Sequence, residues 1–275
     1  MSNIHDGIDR NAWPEHIYRY VEHYFWEPQH LIKTNTSRLA TKARGEKRIS
    51  AFYRLIRSQE VPLNLLLNIF LRVVPSRVRT EVLRLFLSES SSLVGPFQLL
   101  YGADQEYTQP DVLLESQTKR VLLEIKVGAH IDIEQIKRYC LLHAAMSSGS
   151  GSKSPYLLFL SPHPIHEHWK PRSEQSAIAD QGIEEYVRSH LNPTTFDAKM
   201  MAKASVTEPQ LESVLFELRL GAATWQQLGD AIVQEEASIS DKGGELAQVI
   251  ATLASDFLSD LSRRELWKPS HRGDS

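Results

Sequence analysis

Two short apolar runs separated by a charged break constrain the fold more than any other stretch of the sequence. Residues 112–114 and 121–125 are apolar runs of strand length, and the polar segment 115–120 lies between them. Apolar runs on either side of a turn-prone break are typical of a β-hairpin. Successive side chains of a strand point to opposite faces, so Glu124 and Lys126 share one face of the second strand. The sequence therefore predicts a hairpin that carries a carboxylate and an ammonium beside aliphatic side chains.

The charged side chains of Glu124 and Lys126 require compensating contacts if the strand is buried. Ionised side chains are rarely buried unless they are paired or bind a metal. Asp111 stands at the start of the first strand of the hairpin, where it can approach Glu124. Two neighbouring carboxylates repel each other and raise a pKa unless a divalent cation neutralises them. The pattern therefore indicates a candidate cation site.

The spacing of these residues resembles the signature of the PD-(D/E)XK nuclease superfamily. Pro110 and Asp111 are followed, after a gap of twelve residues, by Glu124, Ile125 and Lys126. Both halves of this signature fall on predicted strands that a hairpin joins. The resemblance is specific in this region of the chain and much less specific in the remainder.

A helix is predicted directly after the signature, and it carries Gln135 and Tyr139 on one face. This Gln-x-x-x-Tyr pattern is similar to an element of the exonuclease-like branches of the superfamily, and the resemblance implies that both side chains contact the substrate. The residues alone allow another interpretation. Asp132 is a good N-cap, and Gln135 at the third helical position would complete a capping box without any catalytic role. Both interpretations stay open at this point.

The resemblance implies a fold, an activity and a cofactor. The fold is α/β, a restriction-endonuclease-like mixed central sheet flanked by helices, with an N-terminal helical elaboration. The activity is hydrolysis of phosphodiester bonds with Mg²⁺ or Mn²⁺, held by Asp111, Glu124 and the backbone carbonyl of Ile125. Lys126 would orient the attacking water and offset charge at phosphorus.

DNA is the substrate that the resemblance favours, and a homodimer or a larger defence or repair assembly is a further expectation. The sequence leaves two other classes of protein as alternatives. One is a catalytically silent member of the same fold that holds nucleic acid within a larger assembly. The other is an unrelated α/β protein whose hairpin matches the signature by chance.

A third acidic residue often completes the metal site in this superfamily, from the first core helix. Glu46 matches that role by its position in a predicted helix at residues 45–57. Glu81, on a later predicted helix, and Glu106, shortly before the hairpin, compete for it. A carboxylate near a helix N-terminus also stabilises the helix dipole without any metal.

The whole chain of 275 residues suits one large domain, or one domain with a helical extension. Its hydrophobic content of 41% is ordinary, and no apolar stretch approaches the roughly 20 residues of a membrane helix. The N-terminus lacks a basic-then-apolar segment, so we expect a cytoplasmic protein with no membrane partner. The single Cys140 excludes an internal disulfide and is expected to be a small buried side chain.

The net charge of -3 conceals a local asymmetry, because residues 30–84 contain twelve Lys or Arg residues and only three Glu residues. A basic block of this kind can follow the phosphates of a nucleic acid. The alternative is that these are solvated helix faces. Both interpretations stay open.

The remaining pattern predicts three regions. They are a helical N-terminal region at 1–92 that includes the first core helix, a nuclease core at 93–236, and a C-terminal helix with a flexible tail at 237–275. Strands are predicted at 96–101, 155–161 and 214–220, the last with Phe216 and Leu218 inward, and helices at 62–74, 76–89, 177–191, 224–234 and 245–262.

Three histidines follow the predicted strand 155–161 closely: His163, His166 and His168. Such a group suggests zinc. No acidic or cysteine partner recurs at metal-ligand spacing, and Pro162 and Pro164 favour an irregular exposed loop, so zinc is the less favoured interpretation.

Overall fold

A computed structural model describes residues 60–87, 98–100, 108, 110–147, 153–240 and 245–269. The predicted helix that carries Glu46, the acidic residue Glu106 and the predicted glycine hinge at 243–244 lie outside these residues. A boundary between two compact units falls after Leu65. The sheet and the candidate site lie in the second unit, residues 66–275.

Within the described residues, five strands form one mixed sheet: β1 (Gln98–Leu100), β2 (Val112–Glu115), β3 (Lys119–Ile125), β4 (Ser154–Ser161) and β5 (Arg219–Thr224). They lie side by side in sequence order. β1, β2 and β3 are antiparallel neighbours, whereas β3, β4 and β5 run parallel. The α/β class and the mixed sheet predicted from the sequence are confirmed.

The described ranges also contain nine α-helices: α1 (Glu60–Val73), α2 (Ser76–Arg84), α3 (Ile133–Ser147), α4 (Gln175–Gln181), α5 (Ile183–His190), α6 (Ala198–Lys203), α7 (Glu208–Glu217), α8 (Trp225–Ser240) and α9 (Glu245–Arg263). Parallel neighbours require a crossover connection, which α3 supplies between β3 and β4. No helix in these ranges is long and apolar enough to cross a membrane.

The hairpin turn is shorter than the predicted six-residue break. The Ser116 hydroxyl accepts hydrogen bonds from the backbone N–H groups of Thr118 and Lys119, and the Ser116 N–H donates to the Lys119 carbonyl at 2.9 Å. This compact turn leaves Glu115 and Arg120 inside the strands, where they pair in register. The charged residues that resembled a loop are thus strand residues with partners.

Arg120 explains why a charge is tolerated there. The side chain is only 2% exposed and forms an ion pair with Glu115. Its guanidinium also donates to the carbonyl oxygens of His143 at 3.4 Å and Met146 at 3.2 Å, near the C-terminus of α3. The last carbonyls of a helix lack backbone partners within it, and Arg120 supplies one to Met146, so it joins the hairpin to the end of α3.

Both faces of β3 are covered. All residues from Arg120 to Lys126 are buried. On one face, Leu122 and Leu157 belong to a core that contains Cys140 of α3 and Leu211 of α7. Burial raises the pKa of the Cys140 thiol to about 12, as expected for a small packing side chain.

The predicted strand at 214–220 is wrong. Residues 208–217 form α7, and the edge strand β5 begins only at Arg219. Thr207 and Gln210 form a capping box that starts the helix, with proline in its first turn. Phe216, predicted to face inward, is 82% exposed, whereas Leu218 is buried.

Predictions for the C-terminal third hold in part. The helix after Thr224 is confirmed and extends to Ser240, with Trp225 fully buried. The predicted helix 177–191 is divided into α4 and α5 at Gly182, whose φ of +84° favours glycine. The predicted flexible tail is wrong at its start, because Trp267 is buried and its Nε1 donates to Asp230 Oδ1 at 3.0 Å.

Candidate active site

Asp111 lies beside Glu124 at one end of the sheet. The register pairs Val112 with Leu123, which places Asp111 opposite Glu124. Asp111 Oδ2 accepts a hydrogen bond of 2.7 Å from the backbone N–H of Ile125. Asn68, a buried residue of α1, donates from Nδ2 to the Asp111 carbonyl oxygen at 3.0 Å. The first signature residue is therefore fixed by β3 through its side chain and by α1 through its backbone.

Glu124 accepts three hydrogen bonds although it is only 7% exposed. Lys126 Nζ donates to Oε1 at 2.7 Å, and Gln135 Nε2 donates to the same oxygen at 2.6 Å. The Tyr139 hydroxyl donates to Oε2. A buried charge is costly unless it is paired and hydrogen-bonded, and this carboxylate is both. The shared face of Glu124 and Lys126, predicted from strand alternation, is present.

Gln135 and Tyr139 reach Glu124 because of how α3 begins. Asp132 caps the helix as predicted, since its Oδ1 accepts the Gln135 N–H at 2.7 Å. The Gln135 side chain points to Glu124, which is a different partner from the one a capping box requires. Tyr139, four residues later, lies on the same face of α3. Contact with substrate by these two side chains stays a prediction, and the contact that the structure contains is with Glu124.

The environment keeps the Tyr139 hydroxyl protonated. Burial raises its pKa well above 10, and the negative charges of Glu124 and Asp111 and the hydrogen bond to Glu124 raise it further, against a smaller opposite effect of Gln135. A phenol that keeps its proton is a permanent donor to the carboxylate. Tyr139 therefore suits a role in orienting Glu124.

Lys126 is anchored through both of its backbone groups. Its N–H donates to the Leu160 carbonyl at 2.7 Å, which continues the pairing of β3 with β4. Its carbonyl oxygen accepts a hydrogen bond of 3.0 Å from Trp225 Nε1, at the start of α8. Each signature residue is thus held by a different helix: Asp111 by α1, Glu124 by α3 and Lys126 by α8.

The oxygen atoms at this end of the sheet suit a hard divalent cation. A strand residue directs its N–H and C=O towards the same neighbouring strand, so the Ile125 carbonyl faces the Asp111 side, as its N–H does. A carboxylate has about four acceptor positions, and Glu124 uses three of them in hydrogen bonds. Mg²⁺ is commonly bound by one or two carboxylates together with water and substrate phosphates. The two carboxylates and the carbonyl fit that requirement.

A third carboxylate is not found at this position in the described part of the chain. No group of three or more His, Cys, Asp or Glu residues there could hold a metal ion. Glu81 lies on α2 and pairs with Arg84, so it does not join Asp111 and Glu124. Glu46 and Glu106 are outside the described residues, and their proposed roles stay predictions.

The same finding bears on the histidines. His163 and His168 stack with ring centroids 6.0 Å apart, but they belong to no metal-binding group among the residues that the structure describes. Burial lowers the pKa of His168, against a hydrogen bond to the Ala129 backbone. These rings pack against each other, and the less favoured zinc interpretation has no support here.

Three arginines of the basic block have partners within the protein. Arg77 pairs with Glu235 at 3.4 Å, and Arg84 pairs with Glu81. Arg79 Nε donates to the Leu71 carbonyl at 2.6 Å, near the end of α1. Phosphate binding by the rest of the block, most of which precedes residue 60, stays a prediction.

Sequence reasoning missed Asn68 and Trp225. Asn68 lies between apolar residues in a helix that is predicted to be buried, which is a usable signal because buried polar groups need partners. Trp225 lies in the predicted helix 224–234, and the sequence gives no sign of its partner 99 positions earlier. No protein-family model, curated protein or solved structure matches the chain, so the function has to be argued from the residues themselves.

Proposed function

We propose that this protein is a metal-dependent nuclease of the PD-(D/E)XK type that hydrolyses phosphodiester bonds in DNA. The observation that carries the proposal is the cluster of the partly buried Asp111 with the buried Glu124 and Lys126 at the ends of two neighbouring strands. The sequence signature requires these three residues in one place, and the fold brings them together. Removing charged groups from water and placing two carboxylates side by side costs stability, and a bound divalent cation would offset that cost.

The order of elements supports a restriction-endonuclease-like fold. The resemblance implies a hairpin that carries the signature, then a helix, then an interior strand beside the hairpin. β2 and β3 form that hairpin, α3 follows, and β4 pairs parallel to β3. The segment that bears the signature therefore has the topology that the proposal requires.

The residues have distinct roles in the proposed reaction. Asp111, Glu124 and the Ile125 carbonyl would hold Mg²⁺, which when bound supplies Lewis-acid polarisation of the phosphate. An ammonium has three N–H donors, and Glu124 accepts one from Lys126. The others can hold the attacking water and a phosphate oxygen, which places the water in line and offsets negative charge. The backbone of Lys126 is held by hydrogen bonds at its N–H and carbonyl groups, which fixes the base of this side chain.

The test is cleavage of DNA by the full chain with Mg²⁺ or Mn²⁺, with RNA as a parallel substrate. Asp111→Asn, Glu124→Gln and Lys126→Ala should each abolish cleavage while the protein stays folded. Glu134→Gln and Lys137→Ala are matched controls, because they break an exposed ion pair on α3, and both should cleave like wild type. Activity within a few-fold of wild type in a signature variant would remove that residue from the mechanism. DNA binding without cleavage by wild type would favour the silent alternative, and cleavage of RNA alone would correct the substrate.

A further inference from the structure

Trp225 stands where the last strand turns directly into a helix. Thr224 ends β5 and pairs with Ser161 of β4. Thr224 Oγ1 accepts the Gln227 N–H at 3.2 Å, and Gln227 Oε1 accepts the Thr224 N–H at 2.8 Å. This reciprocal capping fixes the backbone on both sides of Trp225. The indole is fully buried, so its position is determined by the sheet and by the helix start.

Lys126, the partner of Trp225, lies just beyond the last residue of β3. Its N–H is paired with Leu160, and the chain bends away at Val127 and Gly128. The carbonyl of Lys126 is in a buried residue at the point where strand pairing ends, and such positions are prone to local opening. The indole N–H of Trp225 supplies a partner for this carbonyl.

We propose that Trp225 is a positioning residue for Lys126, an inference that rests on the nuclease proposed above. Anchors on both backbone groups fix the direction in which the Lys126 side chain leaves the strand, towards Glu124. Loss of the indole donor would free the carbonyl and let Lys126 leave its contact with Glu124. The carboxylates and the Ile125 carbonyl have other anchors, so metal binding does not depend on Trp225.

Two substitutions separate the indole N–H from the bulk of the ring. Trp225→Phe keeps most of the apolar volume and loses the donor. Trp225→His loses volume, but its ring nitrogen Nε2 lies at the same number of bonds from Cα as the indole nitrogen and can donate at pH 8. Trp267→Phe is the matched control, since it removes an indole donor to Asp230 of the same helix.

The first readout needs no enzyme activity. The rate of acetylation of Lys126 by acetic anhydride, measured by mass spectrometry relative to Lys137, should rise about tenfold in Trp225→Phe, the change that a hydrogen bond of about 1.4 kcal/mol gives. It should remain within about twofold of wild type in Trp225→His and Trp267→Phe. Equal rates in all four proteins would overturn the inference whether or not the protein cleaves DNA.

The second readout is steady-state cleavage, measured well below the melting temperature of every variant. Trp225→Phe should lower kcat about tenfold and leave the KM for DNA and the Mg²⁺ dependence unchanged, whereas Trp225→His should retain kcat despite lower stability. If kcat instead follows melting temperature across the variants, Trp225 is a packing residue and the inference fails while the nuclease stands. If wild type shows no cleavage that depends on Lys126, the proposed function fails, and the acetylation rates still decide whether Trp225 positions Lys126.

Discussion

The hydroxyl of Tyr139 donates a hydrogen bond to the Glu124 carboxylate from a position in α3 that solvent does not reach. Gln135, one turn earlier, donates to the other oxygen. Together they orient a carboxylate that belongs to a different element, β3. The face of α3 for which the sequence predicts substrate contact therefore also orients Glu124.

This relationship predicts how Tyr139→Phe will fail. The substitution leaves Glu124 Oε2 without its buried donor, and hydrogen bonds to charged groups contribute about 1.5–3 kcal/mol. We expect a higher Mg²⁺ concentration for half-maximal cleavage and an unchanged KM for DNA. Tyr186→Phe is the control, because Tyr186 also bonds a carboxylate, that of Glu174. A raised KM with a normal Mg²⁺ titration would instead make Tyr139 a substrate contact.

Asn68→Leu tests the anchor of Asp111. The two side chains are similar in shape, but leucine cannot donate to the Asp111 carbonyl, and a buried acceptor without a partner costs about 1–3 kcal/mol. We expect the free energy of unfolding in urea to fall by that amount and cleavage to slow because Asp111 shifts. Stability and cleavage equal to those of wild type would show that α1 does not hold the site.

His143 predicts a loss of stability in acid. Its Nε2 donates to the Tyr156 carbonyl at 3.1 Å, and Nδ1 has no partner in the described residues. Burial and then the charge of Arg120 lower its pKa from 6.5 to about 3, against the Tyr156 hydrogen bond. The folded pKa lies below the unfolded one, so this contribution is complete above pH 6.5 and is lost as the pH falls towards 3.

Replacement of His143 by glutamine should make the free energy of unfolding depend less on pH between pH 7 and pH 4. Glutamine can still donate to the Tyr156 carbonyl, but it takes up no proton in this range. The measurement is the free energy of unfolding in urea from pH 7 to pH 4 for both proteins. Parallel curves would contradict the assignment and point to other groups, such as Glu115, whose pKa is lowered because the hydrogen bonds from Lys153 and Arg120 outweigh its burial.

Gly229 offers a test of the contact between α8 and the C-terminal segment. Alanine normally stabilises a helix interior relative to glycine by about 1 kcal/mol, but a Cβ at Gly229 would overlap the indole ring of Trp267. We expect Gly229→Ala to lower the melting temperature in wild type and to raise it in a Trp267→Ala background. Gly128→Ala is the control, since a Cβ there meets nothing within 4 Å. The same sign of effect in both backgrounds would exclude the overlap.

The local sequence pattern was sufficient to predict the hairpin and the proximity of the signature residues. Alternation along β3 placed Glu124 and Lys126 together, and apolar runs located β4 and α8. It was not sufficient at residues 214–220, because a short apolar run fits a strand or a helix equally well. The signal that favours the helix is the capping box of Thr207 and Gln210 with a proline between them.

The sequence pattern does not predict hydrogen-bond partners that lie far apart in the chain. Asp132 and Gln135 have the sequence of a capping box, yet Gln135 bonds to Glu124, eleven residues before it. The link from Asn68 to Asp111 spans 43 positions. Such pairings depend on the packing of helices on the sheet, and a side chain chooses between a local and a distant partner only after that packing exists.

The distance in sequence between Lys126 and Trp225, 99 positions, sets an order of events during synthesis. A chain growing on the ribosome contains the hairpin and α3, with Glu124 and the donors from α3, long before residue 225 has been added. The backbone of Lys126 gains its second anchor only after β5 has paired and α8 has started. A prematurely terminated chain would therefore carry the signature without a fixed lysine.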